Sequence, residues 1–222
     1  MNQSMSVKNV ALILIDLQNS FITGRWMRYF GEQDITKIRS SFNNCLSLLK
    51  VLPPELPVLF TRVPFGRESD FQFYDGIDSI VAERKYKCII KSDTNIMDAD
   101  GIKNWMDMIM RNQISTVVIG GCVTTSCIRN SSSNLVKHYK NISGAPDFIV
   151  DLNLCAARNQ NYKPRCSLCM NKYLNGVSDF FCGQCETLGE PLESPVDRAV
   201  SDMRKAGVTV IDKFEWESLI SK

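Results

Sequence analysis

The sequence predicts a three-layer α/β/α domain, Rossmann-like, built on a six-stranded and mainly parallel sheet. Three observations lead there. Short apolar runs rich in β-branched residues read as strands buried on both faces. Amphipathic helical stretches alternate with them, as a parallel sheet covered on both sides requires. The length, 222 residues and 25.1 kDa, suits one such domain with room for a small appended module.

Each element has its own signal. Val10–Ile15 (VALILI) is a continuous apolar run and the first strand. Ile35–Val51 carries Ile35, Ile38, Phe42, Cys45, Leu46 and Leu49 at helical spacing, and Pro53, Pro54 and Pro57 stop it. Pro57–Val63 (PVLFTRV) and Cys88–Lys91 (CIIK) read as the second and third strands. Gly101–Arg111 places Ile102, Trp105, Met106 and Ile109 on one helical face. Ser115–Ile119 (STVVI) is the fourth strand and ends at Gly120-Gly121; a helix beginning near Thr125–Cys127 runs to about Tyr139. Phe148–Leu152 (FIVDL) is the fifth strand. Ser194-Pro195 is an N-cap serine with proline at the first helical position, and Gly207 closes that helix before the sixth strand, Val208–Ile211.

Asn159–Pro191 breaks the alternation. It has no amphipathic period but carries Cys166-x-x-Cys169 and Cys182-x-x-Cys185. We expect residues 1–158 and 191–222 to form the main domain and 159–190 an inserted, zinc-ribbon-like knuckle. Four thiolates, Cys166, Cys169, Cys182 and Cys185, satisfy tetrahedral zinc with no open position, the signature of a structural site. Such a small apolar-poor segment needs the metal, which supplies about 10–16 kcal/mol of apparent folding free energy.

Composition excludes several functions. A net charge of +2 from 26 basic and 24 acidic residues is too balanced for a protein that grips a nucleic-acid backbone or an anionic membrane. The single histidine, His138, rules out an HExxH or two-histidine metal centre. The apolar run after Met1–Lys8 is too short for a signal-peptide core or a membrane span. With an odd number of cysteines, nine, the chain reads as cytoplasmic, its thiols reduced or metal-bound; the sequons at Asn2, Asn130 and Asn141 are then chance matches.

In parallel sheets, ligands bind beyond the carboxyl ends of the strands. There stand Asp16 after the first strand, Lys91 at the end of the third, and GGCVTTSCIR after the fourth. Cys127 falls where a helix begins, so the helix dipole is expected to favour its thiolate; a buried structural cysteine fits the same position. His138 lies eleven residues on, about 16 Å along a continuous helix, too far to serve as base. Asp16 is the available carboxylate, and Lys91 would supply positive charge.

The segments ALILIDLQNSFI around Asp16, CIIKSD around Lys91 and VVIGGCVTTSCIR around Cys127 resemble the isochorismatase-like cysteine hydrolases, a family that includes nicotinamidases and N-carbamoylsarcosine amidohydrolase. DLNLCAAR and AVSDMRKAGVTVID extend the likeness over nearly the whole chain except the cysteine-rich insertion. The resemblance implies the isochorismatase-like fold and a Cys-Asp-Lys triad: Cys127 as nucleophile, Asp16 as general base, Lys91 as electrostatic partner. It also implies a cis peptide between Val123 and Thr124, with backbone N–H groups of this turn (Val123, Thr124, Cys127) as the oxyanion hole. Two departures stand out. The region after the second strand, TRVPFGRESDFQFYD, lacks the histidines of nicotinamidase-type members, so no catalytic metal is expected. The helix after the nucleophile reads RNSSSNL, where small apolar residues are usual.

Gln18 and Phe21 are candidates for lining a substrate pocket, Phe21 fitting the core as well. Arg62, Phe65 and Arg67 stand where an anionic substrate could be held, though solvated surface suits each arginine too. Cys122 and Cys155 read as structural. The expectation is a cysteine hydrolase of a small amide, imide or carbamoyl substrate, a homo-oligomer with no nucleic-acid or membrane partner. The alternative is a catalytically silent protein that binds a partner, or senses redox state, through its knuckle.

Overall fold

A computed structural model describes residues 9–220. Met1–Lys8, the sequon at Asn2 and the last two residues of the main domain lie outside them. The six strands are β1 (Val10–Ile15), β2 (Val58–Arg62), β3 (Lys87–Ile90), β4 (Thr116–Cys122), β5 (Asp147–Ala156) and β6 (Thr209–Ile211). They form one sheet in the order β3-β2-β1-β4-β5-β6, and every pairing is parallel. Helices α1 (Arg25–Phe30), α2 (Thr36–Val51), α3 (Glu68–Phe71), α4 (Ile77–Glu83), α5 (Ile102–Arg111), α6 (Arg129–Tyr139), α7 (Ser167–Leu174), α8 (Pro195–Ala206) and α9 (Glu217–Ile220) complete the described chain.

Alternation along β1 explains why a wholly apolar strand is needed. Val10, Leu12 and Leu14 pack with Ile38, Phe42, Cys45 and Leu49 of α2 on one face. Ala11, Ile13 and Ile15 pack with Ile102, Trp105, Met106 and Ile109 of α5 and with Leu135 of α6 on the other. Successive side chains of a strand point to opposite faces, so a strand roofed on both sides has no polar positions. The last helix forms as its sequence requires: the Ser194 hydroxyl accepts from the Asp197 N–H in a capping box, and Gly207 takes the left-handed conformation at φ 96°.

Boundaries move by a residue or two at most elements, but β4 and β5 are longer than expected. β4 runs through Gly120-Gly121 to Cys122, because these glycines serve close packing and not a turn. A Cβ on Gly121 (φ 119°) would lie 2.0 Å from the Ile15 carbonyl oxygen, and one on Gly120 would lie 2.7 Å from Leu154. β5 bulges against β4 between Ile119 and Gly121, then pairs on to Ala156. The insertion, too, is more regular than its lack of amphipathic period suggests: α7 spans eight residues. It follows Cys166, whose backbone leads into the helix.

The insertion is tied to the rest of the chain by charge. Arg158, buried, donates to Asp34 (Nε–Oδ2 2.8 Å) and to Asp179, and its guanidinium lies 3.6 Å from the centroid of the Phe30 ring. Within the insertion, Arg165 is buried as well and donates to the carbonyls of Ser178 and Phe180, 2.9 and 3.3 Å away. No helix of the described residues is long and apolar enough to cross a membrane.

Candidate active site and candidate metal centre

The strand order reverses between β1 and β4, which are neighbours although the chain visits β2 and β3 between them. At such a switch point the loops diverge and leave a crevice. Asp16 leaves β1 there, and the turn beyond β4 carries Cys127. Lys91 follows β3 at the sheet edge, and its side chain reaches Asp16 and Cys127 over the end of β2.

The three groups meet. Lys91 Nζ lies 2.6 Å from Asp16 Oδ2 and 3.4 Å from Cys127 Sγ, and it donates to the Asp93 carbonyl at 2.9 Å. Asp16 and Lys91 are fully buried, and Cys127 is 6% exposed. Asp16 sits at φ 54°, a left-handed conformation that costs an L-residue energy and is tolerated by Asp better than by most. That backbone kink turns the carboxylate from the strand direction toward the lysine and the thiol.

Burial dominates the electrostatics. It pushes the Asp16 carboxyl above its ordinary value, while the Lys91 charge and hydrogen bonds from Lys91, Thr61 and Cys127 pull it back down. Burial and then the Asp16 charge push the Cys127 thiol up to about 12, against the opposing pull of Lys91. Burial and the neighbouring carboxylate thus favour the protonated thiol, against the thiolate expected at a helix start. The thiol lies in a buried π-helical turn, Thr124–Ile128, beside a carboxylate, and these outweigh the helix dipole.

Backbone details of the turn differ from the expectation by one residue. The non-proline cis bond joins Cys122 to Val123, not Val123 to Thr124, because the extended strand runs on to Cys122 before the chain turns. The Val123 carbonyl accepts from the N–H groups of Ser126 and Ile128, which winds the turn tightly enough to bring Cys127 back over the end of β4.

Several residues that hold the site escaped the sequence reading. Thr61 stands opposite Ile15 in the β1–β2 register; its hydroxyl donates to Asp16 Oδ1 at 2.6 Å and accepts the Asp16 N–H at 3.2 Å. A lone threonine among the apolar residues of PVLFTRV was the signal. The polar helix start RNSSSNL has a local reason as well. Asn130 donates to Thr94 Oγ1 at 2.8 Å, while Ser131 accepts the Ile96 N–H and donates to the Thr94 carbonyl. These side chains tether the loop that follows Lys91, a task small apolar residues could not perform.

Gln18 and Phe21 have structural partners. The Gln18 amide donates to the carbonyls of Val63 and Phe71 and accepts the Val63 N–H, so both of its N–H groups are spent on the loop after β2. Phe21 is buried edge-to-face against Trp26 and Phe65, with ring centroids 4.9 and 5.6 Å apart. Arg62 pairs with Asp78 and lies 3.8 Å from the Phe73 ring centroid. Of the neighbouring thiols, Cys122 and Cys155 are buried among apolar side chains. All nine cysteines are free.

A second constellation lies in the insertion. The sulfurs of Cys166, Cys169, Cys182 and Cys185 all lie within 4.8 Å of one another. Cys182 Sγ is 3.6 Å from both Cys166 Sγ and Cys185 Sγ, and Cys185 Sγ is 3.6 Å from Cys169 Sγ. Metal–sulfur bonds of about 2.3 Å in a tetrahedron place sulfurs roughly 3.8 Å apart, so the donor set fits a four-thiolate metal site. The Cys182 N–H also points at Cys169 Sγ, 3.1 Å away, an outer-shell contact of the kind that steadies a thiolate ligand.

No protein-family model matches the chain, and no curated protein matches it in sequence. Solved structures do match in fold. An isochorismatase from Pseudomonas putida superposes with a TM-score of 0.60 at 12% identity, covering 99% of this chain and 94% of its own. The nicotinamidase PncA from Bacillus subtilis gives 0.58 at 13% identity, with coverages of 92% and 99%. The Escherichia coli YcaC gene product, described as an octameric hydrolase of unknown specificity, gives 0.58 at 12% identity, with coverages of 99% and 81%. The architecture is thus the isochorismatase-like hydrolase fold.

Proposed function

We propose that the protein is a cysteine-dependent hydrolase of a small amide, imide or carbamoyl substrate. One observation carries this reading: a thiol, a carboxylate and an ammonium group from three separate strand ends converge at the switch point, with Lys91 Nζ 2.6 Å from the acid and 3.4 Å from the sulfur. Burying an ion pair costs several kcal/mol per ion in desolvation, and packing alone gives no reason to place a thiol against it. The hydrolase folds of the structural neighbours support the reading.

Asp16 accepts the Cys127 proton as Sγ attacks the substrate carbonyl, so the thiolate forms only as the C–S bond forms. That is how a thiol pushed up to about 12 can serve as nucleophile: it is deprotonated in the transition state, by a base held beside it. Lys91 balances the charge of Asp16 before the transfer and that of the developing oxyanion after it. Backbone N–H groups of the turn, Thr124 and Cys127 with Val123 shaping it, receive the oxyanion. The tetrahedral intermediate collapses to a thioester as Asp16 returns its proton to the departing nitrogen, releasing ammonia or an amine. Water, deprotonated by Asp16, then attacks the thioester; the acid product leaves and the proton returns to Cys127.

The knuckle, in this proposal, is a separate module of residues 159–190 whose four cysteines hold a structural zinc; with all four donors used, the metal would supply rigidity and no open coordination position. A cytoplasmic setting agrees with nine unpaired cysteines. Homo-oligomerisation is part of the reading, supported by exposed Leu168, Leu174, Val177 and Leu188 on the insertion. The printed description of the E. coli neighbour as octameric agrees with it.

The test is ammonia release from a panel of small amides and ureido acids, run on wild type, Asp16→Asn, Lys91→Met and Cys127→Ser. We expect turnover of at least one compound, lowered about a thousandfold or more in each variant, with a Cys127 acyl adduct trapped by mass spectrometry. Absence of turnover across the panel, with acrylamide alkylating Cys127 no faster than exposed Cys88, would sink the proposal.

A further inference from the structure

Above the carboxyl ends of β1 and β2 lies a cavity of about 240 Å³ lined by Arg25, Arg28, Tyr29, Phe65, Arg67 and Asp70. Its charge is lopsided. Arg28 pairs with Asp70 at 3.0 Å, whereas Arg25 and Arg67 have no carboxylate partner among the described residues. Two exposed arginines without a carboxylate partner therefore line one small cleft.

The cavity is also built. Asp70 is 4% exposed and reaches Arg28 only because residue 24 is glycine: a Cβ there would lie 2.1 Å from Asp70 Oδ1. The Arg25 guanidinium stands 5.6 Å from the Tyr29 ring centroid. Phe65 leads inward to Phe21 and on to Trp26 through edge-to-face contacts. Both loops around the cavity hang from Gln18, two residues beyond Asp16, which binds Val63 and Phe71. Arginines lining a cleft that also holds Tyr29 and Phe65 suit a carboxylate carried on a flat or apolar body.

We infer that this cleft is the carboxylate-binding entrance to the active site and selects amides that carry a negative charge. The inference rests on the hydrolase reading and narrows its substrate class. The cleft binds the substrate equally in the ground and transition states, so losing an arginine raises KM and leaves kcat nearly in place.

Benzoate is the binding probe, titrated calorimetrically into the full chain and into Arg25→Gln, Arg67→Gln and Arg111→Gln. The last makes the same charge change on α5, at the amino end of the sheet. We expect Arg25→Gln and Arg67→Gln each to weaken benzoate about tenfold, Arg111→Gln to leave it unchanged, and added salt to weaken it in wild type. In parallel, succinamate and 3- and 4-carbamoylbenzoate are compared as substrates with butyramide and benzamide. The anionic amides should have the higher kcat/KM, and that advantage should shrink about tenfold in Arg25→Gln and Arg67→Gln through KM. Benzoate binding that is absent, or equal in all three variants, overturns the inference. Hydrolysis of neutral and anionic amides at equal kcat/KM overturns it too, but leaves the hydrolase reading standing. Arginine-dependent benzoate binding with no amide hydrolysed defeats the hydrolase reading instead, and with it the assignment of the cleft as an entrance.

Discussion

Thr61 shows how much one hydroxyl can decide. Its oxygen accepts the Asp16 N–H, so its single proton must go to Asp16 Oδ1, and that bond favours the ionised acid. The carboxyl is already held above its ordinary value by burial, and removing the bond raises it further. Catalysis needs Asp16 ionised, so activity is lost as pH falls through that value. Thr61→Val should therefore move the acid limb of the kcat/KM profile to higher pH by about one unit, from the worth of a hydrogen bond to a charged group. Thr61→Ser should restore it. If the limb stays put in Thr61→Val, the hydroxyl has no part in setting the base. Lys91→Met should be harsher, because it leaves a buried carboxylate without its counter-charge; a stability loss of about 3–5 kcal/mol would appear as a lower urea midpoint at pH 8. Below the Asp16 value the carboxyl is neutral, so that loss should shrink as the solution is acidified.

Among the elements, the serine-rich start of α6 makes the sharpest prediction. Ser131→Ala leaves the buried Ile96 N–H without its acceptor, at a cost of about 1–3 kcal/mol measurable by denaturant unfolding. It should also loosen the loop behind Lys91, seen as faster amide exchange at residues 94–96. At this scale the sequence was most legible. Strands of one apolar character, a serine-proline helix start and a glycine stop are local signals, and the β1, α2, α5 and α8 boundaries fell within a residue or two. What escaped was non-local. That Gly120-Gly121 continue β4 depends on Ile15 and Leu154 lying against them. The short helices α1, α3 and α4 have too few residues for a period, and tertiary contacts such as Arg28–Asp70 hold them in place. The site divided in the same way. Asp16, Lys91 and Cys127 could be picked out because strand ends predict where chemistry collects, whereas the state of the thiol depends on burial that no spacing reveals.

Taken whole, the sheet packs two apolar cores, and the cysteine-bearing segment adds the buried Arg165 and four clustered sulfurs. The proposed zinc gives these parts separate stabilities. Chelation should release one equivalent of metal and open residues 159–190 to proteolysis, while β1 to β5 keep their amide protection. Loss of protection throughout the chain at the same chelator concentration would show a single cooperative unit. Asp179→Asn, which removes the charge that Arg158 reaches, should make the insertion easier to open at fixed zinc.

The strand order also bears on how the chain reaches this state. β1 pairs with β4 from Val10↔Thr116 onward, so its central partner is synthesised about a hundred residues after it, and such distant pairing is slow. Until then VALILI, apolar on both faces, can be covered on one edge by β2 but stays open on the other. A nascent chain stalled before residue 116 thus exposes an adhesive strand. Chaperone dependence during synthesis should accordingly end abruptly once β4 has left the ribosome.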